Sequence, residues 1–214
     1  MGDCDSDEEM SQYEKICSAN VKPGMFVSGW EDPNDFVEEE KNPHENLEKE
    51  ILWAANEGKI NEIHEILRLD PECVHATDAD GYTPLHRACY NNFIEIAELL
   101  LKYKANPNAQ TELKWTPLHS ACKWSNAECA ALLLQHGADV NAKSDGLQTP
   151  LHIAATVSNC RNTATILLMD RNIDPYAENN SEETALDIAK RTGLTFPIFE
   201  MGHRAYNVET GLID

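Results

Sequence analysis

The chain has 214 residues, 42% hydrophobic and 25% charged, proportions that suit one folded domain or a compact domain with a tail. Its 37 acidic and 17 basic residues give a formal net charge of −20, which argues against direct contact with a nucleic-acid backbone or an anionic membrane surface. No run of 18 apolar residues is present, and the opening MGDCDSDEEM lacks the basic and apolar regions of a secretory signal. Seven cysteines, an odd number without CxxC spacing, read as reduced thiols of an intracellular protein.

Residues 1–47 are expected to form an acidic, disordered head. Residues 1–50 hold 15 acidic and 4 basic residues, with Pro23, Pro33 and Pro43 and little apolar periodicity. Such a composition does not offset an ordering entropy of about 1–2 kcal/mol per residue. The plain reading is a solubilising tail. The scattered Ile16, Val21, Met25, Phe26, Val27, Trp30, Phe36 and Val37 allow the alternative of a segment that orders on a partner.

Next, Ile51-Leu52-Trp53-Ala54-Ala55 with Gly58 leads into Ile63, Ile66 and Leu67 at helical spacing. From Asp80 the chain becomes self-similar. Thr83-Pro84-Leu85-His86 returns as Thr116-Pro117-Leu118-His119 and as Thr149-Pro150-Leu151-His152, 33 residues apart each time. A small pair follows each copy: Ala88-Cys89, Ala121-Cys122, Ala154-Ala155. Then comes an apolar helical run (Leu99-Leu100-Leu101, Leu132-Leu133-Leu134, Ile166-Leu167-Leu168). Each unit closes on a hairpin signature: Ala105-Asn106-Pro107-Asn108-Ala109, Ala138-Asp139-Val140-Asn141-Ala142 and Ile173-Asp174-Pro175-Tyr176-Ala177. Thr184-Ala185-Leu186-Asp187-Ile188-Ala189 is a worn fifth copy, with a short second helix near Ile198-Phe199. It begins 35 residues after the fourth, and the two extra residues are expected between Ser158 and Thr163.

A 33-residue period carrying TPLH and GADVNA resembles the ankyrin repeat, a β-turn with two antiparallel helices. The resemblance implies an all-α solenoid of about five repeats over 48–201, divided near 48–77, 78–110, 111–143, 144–178 and 179–201, with worn terminal caps and a short tail at 202–214. His86, His119 and His152 stand one repeat apart, roughly 10 Å, too far to share an ion whose histidine bonds are near 2.0–2.1 Å. In the family this histidine is structural, bonded to neighbouring backbone. No nucleophile elbow, P-loop or dinucleotide fingerprint occurs, so no catalytic residue, metal or cofactor is expected.

Recognition of another protein is what is left. The resemblance implies binding through hairpin tips and the exposed ends of the inner helices, on the concave side. That surface would receive Tyr82, Trp115 and Gln148 before each threonine, and Tyr90-Asn91, Lys123-Trp124, Thr156-Val157 and Arg191-Thr192 from the inner helices. Tyr82, Tyr90, Trp115 and Trp124 are expected to form one patch over the second and third units, since aromatics beside Arg or Lys make binding hot spots. Asn108 and Asn141 stand where such repeats are hydroxylated on asparagine. The segments YTPLHRACYNN, WTPLHSACKWSN, LLLQHGAD and NNSEETALDIAKRT are similar to one group of animal ankyrin-repeat proteins. That likeness implies a nuclear regulator of gene expression without enzymatic activity, with a cytoplasmic location as the alternative; the chain is separately expected to be a monomer. The −20 charge supports a different reading, an acidic chaperone or assembly factor for a basic client.

Overall fold

The computed structural model describes residues 44–193 and 197–200, so the expectations for the head before residue 44 and the tail after 201 lie outside the described residues. Local chemistry opens each unit. Thr83, Thr116, Thr149 and Thr184 hold extended backbone at a helix N-cap. In the first three a proline follows in the first turn, where a missing N–H has no intrahelical partner to lose. Four short inner helices result: α3 (Pro84–Tyr90), α5 (Pro117–Lys123), α7 (Pro150–Thr156) and α9 (Ala185–Thr192), the last closed by Gly193 in the left-handed conformation.

The first unit has no TPLH. Its inner helix α1 (Leu47–Asn56) is capped by Asn46, whose side chain accepts from the Lys49 N–H at 2.7 Å. The outer helices are α2 (Ile60–Leu69), α4 (Ile94–Lys102), α6 (Ala127–Gln135) and α8 (Arg161–Leu168). A 3-10 turn at Pro71–His75 follows α2. In the fifth unit residues 197–200 are helical, with Phe199 fully buried. The expectation for the fourth unit is half corrected. One extra residue lengthens the turn between α7 and α8, but the other falls after α8, before Asp174.

Inner helices pack on inner helices in chain order, and outer helices on outer helices, so each unit touches its sequence neighbours. The core runs along the seam as Ile51, Ile63, Leu67, Leu85, Leu100, Leu118, Leu133, Leu151 and Leu167, each almost wholly buried. No helix pair covers these alone, and a leucine truncated to alanine in such a setting costs about 2–5 kcal/mol. The pairs Ala88-Cys89, Ala121-Cys122 and Ala154-Ala155 are equally buried. Their small side chains let the inner helices approach. Among the described residues no strand forms, one isolated bridge joins Glu178 to Thr184, and no helix is long and apolar enough to cross a membrane.

Candidate functional site: the inner-helix face

The histidines lock the repeats to one another. In each TPLH the backbone N–H of the threonine donates to histidine Nδ1 at 3.1 Å. Nδ1 is therefore the unprotonated nitrogen, and the ring proton sits on Nε2. His86 Nε2 donates to the carbonyl of Trp115 at 3.1 Å, His119 Nε2 to Gln148 at 3.0 Å and His152 Nε2 to Glu183 at 3.1 Å. Each bond reaches the hairpin of the following unit. Burial pushes the His86 and His119 rings down to about 4, against the smaller upward pull of those carbonyls, and lowers His152 in the same way. With both nitrogens engaged, none of the three offers a lone pair to a metal. The final unit has Asp187 instead, whose carboxylate accepts from Thr184 N–H and Oγ1–H but donates nothing forward.

The hairpins have an anchor that the sequence reading missed. Asp78 Oδ1, Thr111 Oγ1, Ser144 Oγ and Asn179 Oδ1 each accept the backbone N–H four residues on, from Tyr82, Trp115, Gln148 and Glu183. These anchors recur five residues before each capping threonine. The signal was present at the repeat spacing, hidden because four different residue types serve one purpose. Neighbouring hairpins then join through backbone, Glu112 N–H to Asp80 C=O at 2.9 Å, Asp145 to Leu113 at 3.1 Å and Asn180 to Gly146 at 3.1 Å. Asp78 also accepts from Arg87 Nη2 at 2.9 Å.

The expected four-aromatic patch divides, which corrects the sequence reading. Tyr82 and Trp115 are each only 6% exposed. The Tyr82 ring stands edge-on to His86 at 5.5 Å, and Trp115 tilts over His119 at 5.8 Å. Each aromatic covers the buried histidine of its own unit, excluding water from a ring that must stay neutral. Gln148, half-buried, gives its carbonyl to His119 and its N–H to Ser144. These three positions serve the stack.

The ends of the inner helices are different. Trp124 is 44% exposed and meets half-buried Tyr90 at 4.7 Å between ring centroids, 66° apart. Asn126 Nδ2 donates to the carbonyls of Cys89 and Tyr90, both at 2.8 Å, so the end of α3 is held from the next unit. Lys123 is half-buried beside Trp124, and Val157 continues the row into the fourth unit. Asn91 is used structurally, its amide donating to the carbonyls of Asn56 and Arg87 at 3.3 Å. Arg191 is exposed, with Glu183 Oε2 at 3.4 Å. The structure thus brings Tyr90, Lys123 and Trp124 together and leaves Arg191 two units away.

Asn108 and Asn141 bridge hairpins. Asn108 accepts from Asp139 N–H at 2.7 Å and donates to Gly137 C=O at 3.0 Å; Asn141 accepts from Asp174 N–H at 2.9 Å and donates to Asn172 C=O at 2.6 Å. Cys73, Cys89, Cys122, Cys129 and Cys160 are free and buried. Burial, with Asp70 nearby, pushes the Cys73 thiol up to about 11, and burial raises Cys122 well above the ordinary thiol range.

Comparison with known proteins agrees with this architecture. The family model for ankyrin repeats (3 copies) matches residues 51–144 and 104–179. An ankyrin repeat domain-containing protein 49 from Drosophila melanogaster is 68% identical over the whole of both chains. Proteins of that name from Homo sapiens and Bos taurus are 43% and 50% identical, covering 92% and 76% of this chain and 88% and 68% of their own. TPLH caps, histidine ties and stacked helix pairs, together with these matches, place the chain in the ankyrin-repeat family.

Proposed function

We infer from its family that this chain mediates protein–protein interaction without enzymatic activity, as ankyrin repeats generally do. We propose that this chain is an adaptor that grips a protein partner on its inner-helix face, centred on Trp124 and Tyr90, and that it serves as a nuclear regulator of gene expression. The observation that carries the binding site is the exposed indole of Trp124 against Tyr90. The fold buries the equally large Trp115 but leaves this ring at the surface, with Lys123 beside it. Aromatic anchors of this kind typically cost about 2 kcal/mol or more on truncation. The nuclear, expression-linked part rests on the likeness to proteins named ankyrin repeat domain-containing protein 49. Quantitative affinity capture from nuclear and cytoplasmic extracts tests both parts, with wild type beside Trp124→Ala and the exposed outer-face control Leu69→Ala. A partner set lost in Trp124→Ala but kept in Leu69→Ala supports the face; equal capture by all three refutes it.

A second reading, an acidic chaperone for a basic client, is favoured by the net charge of −20. It predicts capture that falls steeply with salt and is indifferent to Trp124.

A further inference from the structure

Beyond the first unit, charge on the inner row runs against that of the whole chain. Helices α3, α5, α7 and α9 carry Arg87, Lys123, Lys190 and Arg191 with one carboxylate, Asp187, in a chain that is acidic by 20 charges. The outer row carries Glu62, Glu65, Glu95, Glu98 and Glu128, and the first inner helix, α1, carries Glu48 and Glu50 with Lys49. Acids lie beside these cations: Asp78 holds Arg87 at 2.9 Å, Asp187 lies 3.7 Å from Lys190 and Glu183 lies 3.4 Å from Arg191. Among these cations lies the strip Tyr90, Trp124 and Val157. Such a face suits a segment that offers aromatic rings to Trp124 and carboxylates to Lys123.

The chain contains a segment of that chemistry. Residues 25–40, outside the described residues, read MFVSGWEDPNDFVEEE: Phe26, Trp30 and Phe36 among six carboxylates, with no basic residue. The segment joins the solenoid just before Leu47, at the start of the first inner helix, so it enters on the row that bears the strip. From Trp30 to Leu47 the extended chain reaches up to roughly 60 Å, at about 3.5 Å per residue. The second and third inner helices lie about 10–20 Å away, at about 10 Å per helix. A short tether also holds the segment at an effective concentration of order millimolar, so contacts too weak to bind in trans suffice here.

We propose that residues 25–40 dock on the Tyr90–Trp124 face of their own solenoid and cover it until a partner displaces them. This rests on reading that face as the docking surface. The test uses the dilute full-length chain and a carbodiimide, which joins a lysine directly to a contacting carboxylate. Linked peptides are then read by mass spectrometry on mixed light and heavy isotope preparations. Lys123 is expected to link to Glu31, Asp32, Asp35 or Glu38–Glu40 within one chain. The yield should drop at least fivefold in Trp124→Ala, in the Trp30→Ala/Phe36→Ala double variant, whose changes lie outside the repeats, and at about 1 M salt, where screening acts over about 3 Å. Equal linking of residues 31–40 to Lys102 and Lys143, a yield unmoved by the variants, or links only between chains would each overturn the proposal. The proposed function fails separately. Partner capture indifferent to Trp124→Ala sinks it even where the intrachain link is found, whereas loss of capture without the link sinks only the docked segment.

Discussion

Acidification should loosen the stack through its buried histidines before the carboxylates are involved. In the unfolded chain each histidine titrates near 6.5; in the stack His86 and His119 stay neutral down to about 4, because a charged ring would be buried and would lose Nδ1 as acceptor for the threonine N–H. Below 6.5 the unfolded state therefore binds more protons, and stability falls as pH falls, through the window from 6.5 to about 4. At about 1.4 kcal/mol per pH unit the loss is about 2 kcal/mol per histidine at pH 5, so about 4 kcal/mol for the pair, and about 3 kcal/mol each by pH 4. His152, lowered for the same reason, adds in the same direction. Urea unfolding followed by far-UV circular dichroism at pH steps from about 7.5 to 5 reads the loss. His119→Gln keeps an acceptor for Thr116 and a donor for Gln148 without a titrating group, and should flatten the slope by about one proton. Ring nitrogen NMR should show neutral, Nε2-protonated His86 and His119 at pH 5. Native-state titration near 6.5, or stability flat from pH 7 to 5, would refute the reasoning.

Other outcomes follow from the same geometry. Trp115→Ala should destabilise by about 3–5 kcal/mol, since it uncovers His119 and empties core volume, whereas Trp124→Ala should move stability by less than about 1 kcal/mol; thermal unfolding of the two compares them directly. At the hairpin tips Leu147 holds a left-handed φ of 54° and is exposed, so Leu147→Gly should stabilise by about 1 kcal/mol in urea melts. At the equivalent Gly81, with a φ of 84°, a Cβ would lie 3.1 Å from the Thr111 backbone and the neighbouring hairpin would have to give; Gly81→Ala should destabilise. The five buried cysteines should stay unlabelled by a thiol reagent in the native protein and react on unfolding, as counted by intact mass.

What the sequence disclosed and what it hid have a common physical reason. TPLH is local chemistry: Thr caps, Pro suits the first turn, and the histidine faces back to its own cap, so three copies reveal the helix starts. The histidine's second bond, to the next hairpin, was legible only through resemblance to the family. The hairpin anchors escaped notice because Asp78, Thr111, Ser144 and Asn179 share an acceptor oxygen and little else. Trp115 and Trp124 look alike in sequence, both aromatic and near a TPLH, yet one lies over a histidine and the other sits past a helix end. Which side a hairpin ring folds toward is decided by the helix beneath it, and no spacing records that. Asn91 illustrates the same limit: at a surface register of the repeat, it is taken up by the carbonyl of Asn56 one unit away.

The affinity of Trp124→Ala for a partner captured by wild type tests the central claim most directly, measured beside its melting temperature. The account predicts a melting temperature within a degree or two of wild type and a dissociation constant raised about 30-fold or more, the equivalent of about 2 kcal/mol. An unchanged dissociation constant in a variant that melts like wild type would contradict it.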